Sequence, residues 1–324
     1  MSKKFNNKIL LALLGGLVVI FFITNYLRNK TREANVLPSD YVSIDSAAVE
    51  SISIFPKSMN GDEIKFTNQN GKWQVANKDL VSETNEGEVG RIIKELQDVK
   101  PQRLAAKDKE QWKKYQVTDS LATRVTINES GKGQTLNLYI GKFTYKKQQN
   151  PYAQYGGSQG ITGTTYVRKS DDEKVYGVEG FLSMSFNQGF NSWRKSDFLK
   201  ADKKAINRIQ FAYPGNGSFM LAKQDSVWMV DNQQADPKAV DTYLNMFTNR
   251  PQRSFADNYK PNGSPNYTLT VSGNGMEDLT IQCWADTSGT YYMHSSLNPK
   301  VYFSSPAKGL FTQLFVGKDK FLSK

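Results

Sequence analysis

The chain carries one pattern twice, and that duplication confines it to two copies of a single fold. Val49-Glu50-Ser51-Ile52-Ser53-Ile54-Phe55 returns as Ile206-Asn207-Arg208-Ile209-Gln210-Phe211, and Trp73-Gln74-Val75 returns as Trp228-Met229-Val230. Pro101-Gln102-Arg103 recurs as Pro251-Gln252-Arg253, Thr123–Ile127 as Tyr267–Val271, and Val175-Tyr176 as Val301-Tyr302. The order is kept while the offset shrinks from 157 to 126, so loops shorten in the second copy. At 324 residues there is room for two domains, each with its own core. The boundaries read as 1–35 (tail and anchor), 36–43 (linker), 44–200 (first repeat) and 201–324 (second repeat).

The N-terminus is different material. Ile9 to Leu27 is a charge-free run of 19 residues, which as a helix would span ~28 Å, about the thickness of a hydrocarbon core. The run is longer than the apolar stretch of a secretory signal, and no small-x-small cleavage site follows it. It therefore reads as a retained transmembrane anchor. The basic residues Lys3, Lys4 and Lys8 precede it and Arg28, Lys30 and Arg32 follow, so the charge bias is weak. The short tail favours an N-terminus inside, which exports everything after Leu27. Gly15 and Gly16 either admit a neighbouring membrane helix or are ordinary glycines of such a segment. The net charge of +11 divides unevenly, with six Lys/Arg against one acid in residues 1–35. The remainder is mildly basic, compatible with an anionic lipid surface and too weak for a nucleic-acid footprint.

Each copy opens with alternating apolar residues, the period of a half-buried strand. Val49, Ile52 and Ile54 carry it in one copy, and Ile206, Ile209 and Phe211 in the other. Asn60-Gly61, Asn70-Gly71, Asn216-Gly217 and Asn274-Gly275 predict tight turns, because Asn-Gly tolerates positive φ at both positions. A helix follows in each copy. Val89, Ile92, Ile93, Leu96 and Val99 form the first apolar stripe, with Asn85 and Glu88 placed as a capping box. Asp236-Pro237 starts the second helix, whose stripe is Val240, Tyr243, Leu244 and Phe247. Both helices end at a proline, and four further strands are expected in each copy. The order β-β-β-α-β-β-β-β, closed by a short helix near Phe181–Phe186 or Leu310–Phe315, is α+β and mainly antiparallel. Trp73 and Trp228 are expected to fill the core of their copies.

The copies differ most at residues 143–163, which the second replaces with about four residues. This insertion is expected to lack regular structure. Tyr145, Tyr152 and Tyr155 make it either a contact loop or a mobile hairpin tip.

No reaction signature is present. His294 is the only histidine and sits in an alternating strand, and Cys283 is the only cysteine. One of each cannot build an imidazole–thiolate zinc site within one chain. Gly131-Lys132-Gly133 and Gly156–Gly160 complete no phosphate-loop pattern between a strand and a helix. Asp62-Glu63 and Asp171-Asp172-Glu173 fall at hairpin positions. No catalytic, cofactor-binding or metal-binding residue is assigned. A hydrolase using two dispersed carboxylates is the enzymatic alternative.

The anchor, strand pair, Trp73-x-Val75, helix Val89–Val99 and Leu138-Tyr139-Ile140-Gly141-Lys142 resemble the domain of unknown function 4340 family. Tyr166-Val167-Arg168, Val175-Tyr176 and Trp193-Arg194-Lys195 continue the resemblance, which covers most of residues 42–200. One departure is Tyr115-Gln116-Val117, where the family has Tyr-Gly-Leu followed closely by proline. The resemblance implies a bacterial, membrane-anchored, exported protein without an assigned reaction. Genes of such proteins often lie beside ABC-transporter permeases and the gliding-motility-type auxiliary protein, which implies an accessory subunit. The expected function is a non-enzymatic, extracytoplasmic scaffold on the inner membrane, with an ABC-type permease as partner. The alternative is a ligand- or glycan-binding module acting through residues 143–163.

Overall fold

The computed structural model describes residues 14–25, 37–85, 87–147 and 161–322. Residues 14–25 form a helix, α1, whose side chains are exposed along its length. Among the described residues no helix is long and apolar enough to cross a membrane. Both ends of the charge-free run, 9–13 and 26–27, lie outside the described residues. The chain divides into two compact units, Met1–Leu80 with Val89–Gly189, and Val81–Glu88 with Phe190–Lys324.

In chain order the first half runs β1 (Val49–Phe55), β2 (Ile64–Gln69), β3 (Lys72–Asn77), β4 (Leu80–Glu83), α2 (Glu88–Gln97), β5 (Pro101–Ala106), α3 (Trp112–Tyr115), β6 (Thr123–Glu129), β7 (Gly133–Lys147), β8 (Ile161–Lys169), β9 (Val175–Glu179) and α4 (Leu182–Phe186). The second half runs β10 (Ile206–Ala212), β11 (Phe219–Gln224), β12 (Val227–Val230), β13 (Gln233–Gln234), α5 (Pro237–Leu244), β14 (Tyr267–Gly273), β15 (Leu279–Ala285), β16 (Thr290–Ser295), β17 (Phe303–Pro306) and α6 (Leu310–Leu314). The sheets have the orders β4-β3-β2-β1-β6-β7-β8-β9-β5 and β13-β12-β11-β10-β14-β15-β16-β17. Apart from β5 the two topologies are the same. The architecture is α+β with antiparallel pairing.

The duplication extends to register. Ile52 faces Ile127 and Phe66, and Ile209 faces Val271 and Leu221, at equivalent places. A bulge interrupts the first strand of each copy at the same step, Val49/Ser51 and Ile206/Arg208. At the far end the expected match slips by one residue. Val167 pairs with Tyr176 and Met293 with Phe303, so Phe303, and not Tyr302, stands where Tyr176 does. Strand alternation explains the slip: the inward position needs a large apolar side chain, and Phe303 is fully buried.

Local signals worked where backbone conformation is most restrictive. Asn70 and Gly71 take φ of 54° and 83° and join β2 to β3 as a two-residue turn. The Asn216-Gly217 expectation is corrected, because Gly215 supplies the positive φ and the Ser218 hydroxyl accepts from Tyr213 N–H. Asp236 caps α5 by accepting from Lys238 N–H at 2.8 Å, with Pro237 at the first helical position. The Asn85 side chain, expected at the start of α2, accepts from Ser196 N–H and donates to the Arg194 carbonyl. The apolar stripes of α2 and α5 are buried as expected. Each copy also has a short strand before its helix (β4, β13), and the first has β5 after it, additions to the expected order. In the second unit β5 survives only as one bridge, Phe255 to Phe303.

Candidate functional site

Residues 143–147 and 161–163 are strand, which corrects the expectation of an irregular insertion. β7 and β8 continue past the sheet as a ribbon, pairing Tyr145 with Gly163 and Lys147 with Ile161. In the second unit β15 and β16 stop at the pair Ala285–Tyr291. Phe143 lies 5.2 Å from Phe181 and 6.4 Å from Tyr145, centroid to centroid. Tyr145 is 61% exposed. Tyr152 and Tyr155 lie outside the described residues. Gly15 and Gly16 lie in α1 with nothing within 4 Å of an added Cβ. Phe143, Ile161, Phe181 and Met184 join Tyr145 in this region as partly or largely exposed side chains. The sequence hides them because lysine, threonine and glycine interrupt the alternation; as strand residues, 143, 145 and 161 share one face.

Behind the ribbon, the first unit holds an arginine–aromatic stack. The Arg168 guanidinium lies 3.7 Å from the Trp112 ring and 4.1 Å from that of Tyr139. Its side chain is buried, and Nε donates to the Val117 carbonyl at 3.2 Å. A buried cation between two ring faces is stabilised by their quadrupoles and by that carbonyl. Tyr115 packs on Tyr166, whose hydroxyl accepts from Arg103. Gly141 has a steric reason, since a Cβ there would sit 2.3 Å from the Tyr115 carbonyl oxygen. Gln116 ends α3 in the left-handed region at φ 57°, a position that glycine occupies with least strain. These contacts give the Leu-x-Ile-Gly, Tyr-Val-Arg and Tyr-x-Val segments one shared task, which is to lock the α3 turn onto β7 and β8.

The equivalent face of the second unit carries different aromatics. Tyr259 stacks on Tyr292 at 3.9 Å and 7°, with Tyr302 and Trp284 at its edges. Nearby, Arg194 makes a bidentate ion pair with Asp257 at 2.6 and 2.8 Å, and its guanidinium covers the Phe255 ring at 3.8 Å. Trp73 and Trp228 hold the same register position, opposite Asn68 and Lys223, yet both are only half-buried.

Groups with reactive potential have structural partners. His294 lies 3.1 Å from the Pro299 carbonyl and against the Tyr302 ring. Burial pushes the Cys283 thiol up to about 12, so it stays protonated near neutrality. Asp62 pairs with Lys78 and Glu173 with Lys109. Among the described residues no cluster of three or more His, Cys, Asp or Glu is arranged to hold a metal ion. Open clefts lie within each unit. One of about 500 Å³ is lined by Lys57, Asp119, Arg124 and Tyr139, and one of about 320 Å³ lies between α2 and Phe181. A third, of about 540 Å³, borders the Tyr259–Tyr292 stack. Burial, followed by the neighbouring Asp119, raises the Tyr139 hydroxyl above its ordinary range.

Fold and surfaces together define a class, a tandem antiparallel α+β protein whose two sheets share a topology and differ in what their equivalent faces carry. The chain belongs to the family described as Domain of unknown function (DUF4340), whose model matches residues 73–270. The match begins at Trp73 and runs beyond the first copy into β14. No curated protein and no solved structure matches the chain.

Proposed function

We propose that this protein is a membrane-anchored, extracytoplasmic accessory subunit that binds a membrane partner and catalyses no reaction. The observation that carries the reading is α1. Leu14, Leu17, Val18, Ile20, Phe21 and Phe22 lie between 47% and 65% exposed, with none of the other described residues buried against them. A helix that is apolar all round needs an apolar surrounding, and a bilayer supplies one. The charge-free run continues beyond the described turns to Ile9 and Leu27. On this reading the N-terminus is cytoplasmic, the span is single, and both units face the extracytoplasmic side of the inner membrane.

An ABC-type permease is the proposed partner, a reading supported by the family resemblance. Gly15 and Gly16 leave room on α1 for close approach of a partner helix. Crosslinking and purification in mild detergent, from cells at native expression, tests the assignment. Recovery of a permease component is the expected result; repeated recovery of the chain without one refutes it.

A further inference from the structure

The β7–β8 ribbon has no counterpart in the second unit, and its surface is unusual for a solvated hairpin. Phe143, Tyr145 and Ile161 share one face, as alternation from the pairs Phe143–Thr165, Tyr145–Gly163 and Lys147–Ile161 requires. Gly163 is the bed for the Phe143 ring, since a Cβ there would come within 2.7 Å of it. That seats Phe143 against Phe181 and extends the apolar strip. Tyr145, Ile161 and Phe181 remain 61%, 54% and 44% exposed.

Charge points the same way. Between Glu129 and Asp171 the sequence has no acid, and three lysines (Lys142, Lys146 and Lys147) lie on the ribbon. The acids nearest Phe181 on α2, Glu95 and Asp98, are bonded to Arg91 and Lys94. Glu179, opposite Thr164 at the base of the ribbon, is the one other acid there among the described residues. Rings with a polar edge settle at headgroup depth, and lysines carry their ammonium groups to anionic phosphates.

We infer that the β7–β8 ribbon docks on an anionic bilayer surface, with Phe143, Tyr145, Ile161 and Phe181 at the interface, Lys147 beside them on the same face, and Lys146 reaching the headgroups from the opposite face by its flexible stem. The inference deepens the membrane reading above and uses the anchor only to keep the ribbon near lipid. The 11 residues from 26 to 36 could reach at most ~40 Å if extended.

The test uses the full chain carrying Ile161→Cys with a nitrobenzoxadiazole label; Cys283 is fully buried, so labelling is selective. The protein is reconstituted into phosphatidylcholine liposomes with and without phosphatidylglycerol. Label emission should rise and shift to the blue with phosphatidylglycerol and fall back at high salt. The Lys146→Glu/Lys147→Glu variant should lower the docked-to-free ratio at least about tenfold, since each lysine near an anionic surface is worth roughly fivefold. Equal emission in both lipids, or emission unaltered in that variant, overturns the inference. Flotation separates it from the anchor reading. Chains that float while the label stays silent refute ribbon docking alone. Chains that do not float refute the anchor, and the label is then read on added vesicles by the same criteria.

Discussion

Removing Asp257 should loosen the second unit far more than its surface position suggests. The Arg194 side chain is 3% exposed and that of Asp257 24%. Besides the bidentate pair, Arg194 has Asn191 at 3.1 Å and the Phe255 ring beneath its plane. In Asp257→Ala the guanidinium stays buried and loses its counter-charge. Breaking a fully buried pair costs about 3–5 kcal/mol, and the partial exposure of Asp257 lowers that to roughly 2–4 kcal/mol. With a urea dependence of about 1–3 kcal/mol per molar, the midpoint should fall by about 0.7–4 M. Reactivity of the Cys283 thiol is the assay, because this fully buried side chain on β15 reports opening of the second unit alone. Arg194→Met combined with Asp257→Ala should recover much of the loss, since no unpaired charge remains. A midpoint unchanged by Asp257→Ala, or a double variant worse than the single, would show that the buried guanidinium does not depend on its counter-charge.

Gly141→Ala should destabilise the first unit by about 1–3 kcal/mol, because its Cβ meets the backbone of the α3 turn. Gln116→Gly should be neutral or stabilising by up to about 1 kcal/mol, relieved left-handed strain outweighing added unfolded-state freedom; thermal unfolding measures both. Burial pushes the Glu129 carboxyl up, yet Lys132 at 3.0 Å and the Asp45 N–H at 3.1 Å outweigh it and hold the group below its ordinary 4.5. Its contribution is therefore complete above pH 4.5 and is lost as pH falls through the lower folded value. Acid titration of stability should show that loss, and Glu129→Gln should flatten it. In the folded chain Cys283 should resist a thiol reagent at neutral pH and react promptly in denaturant.

Much of the fold was legible because the chain presents its pattern twice. Alternation located the strands, and duplicated positions such as Ile52 and Ile209 stand at equivalent places in their sheets. Capping chemistry marked α5 at Asp236, where side chain and backbone serve one purpose. The misreadings arise where a local cue competes with a distant partner. Asn85 resembles a cap, but its amide serves the 194–196 segment, a contact more than a hundred residues away. Val301-Tyr302 resembles Val175-Tyr176, but strand alternation demands Phe303 inward. The ribbon was obscured by its composition, since lysine, threonine and glycine dilute the period that Phe143, Tyr145 and Ile161 carry. The Arg168 stack was present as motif letters without its geometry, because Trp112 comes from another element.

Membrane attachment through residues 9–27 is tested most directly by alkaline extraction of membranes from spheroplasts, combined with protease added from outside. The full chain should stay with the membrane, both units should be digested from the outer face, and a chain lacking residues 1–35 should be released. Release of the full chain, or protection of both units in intact spheroplasts, would contradict this arrangement.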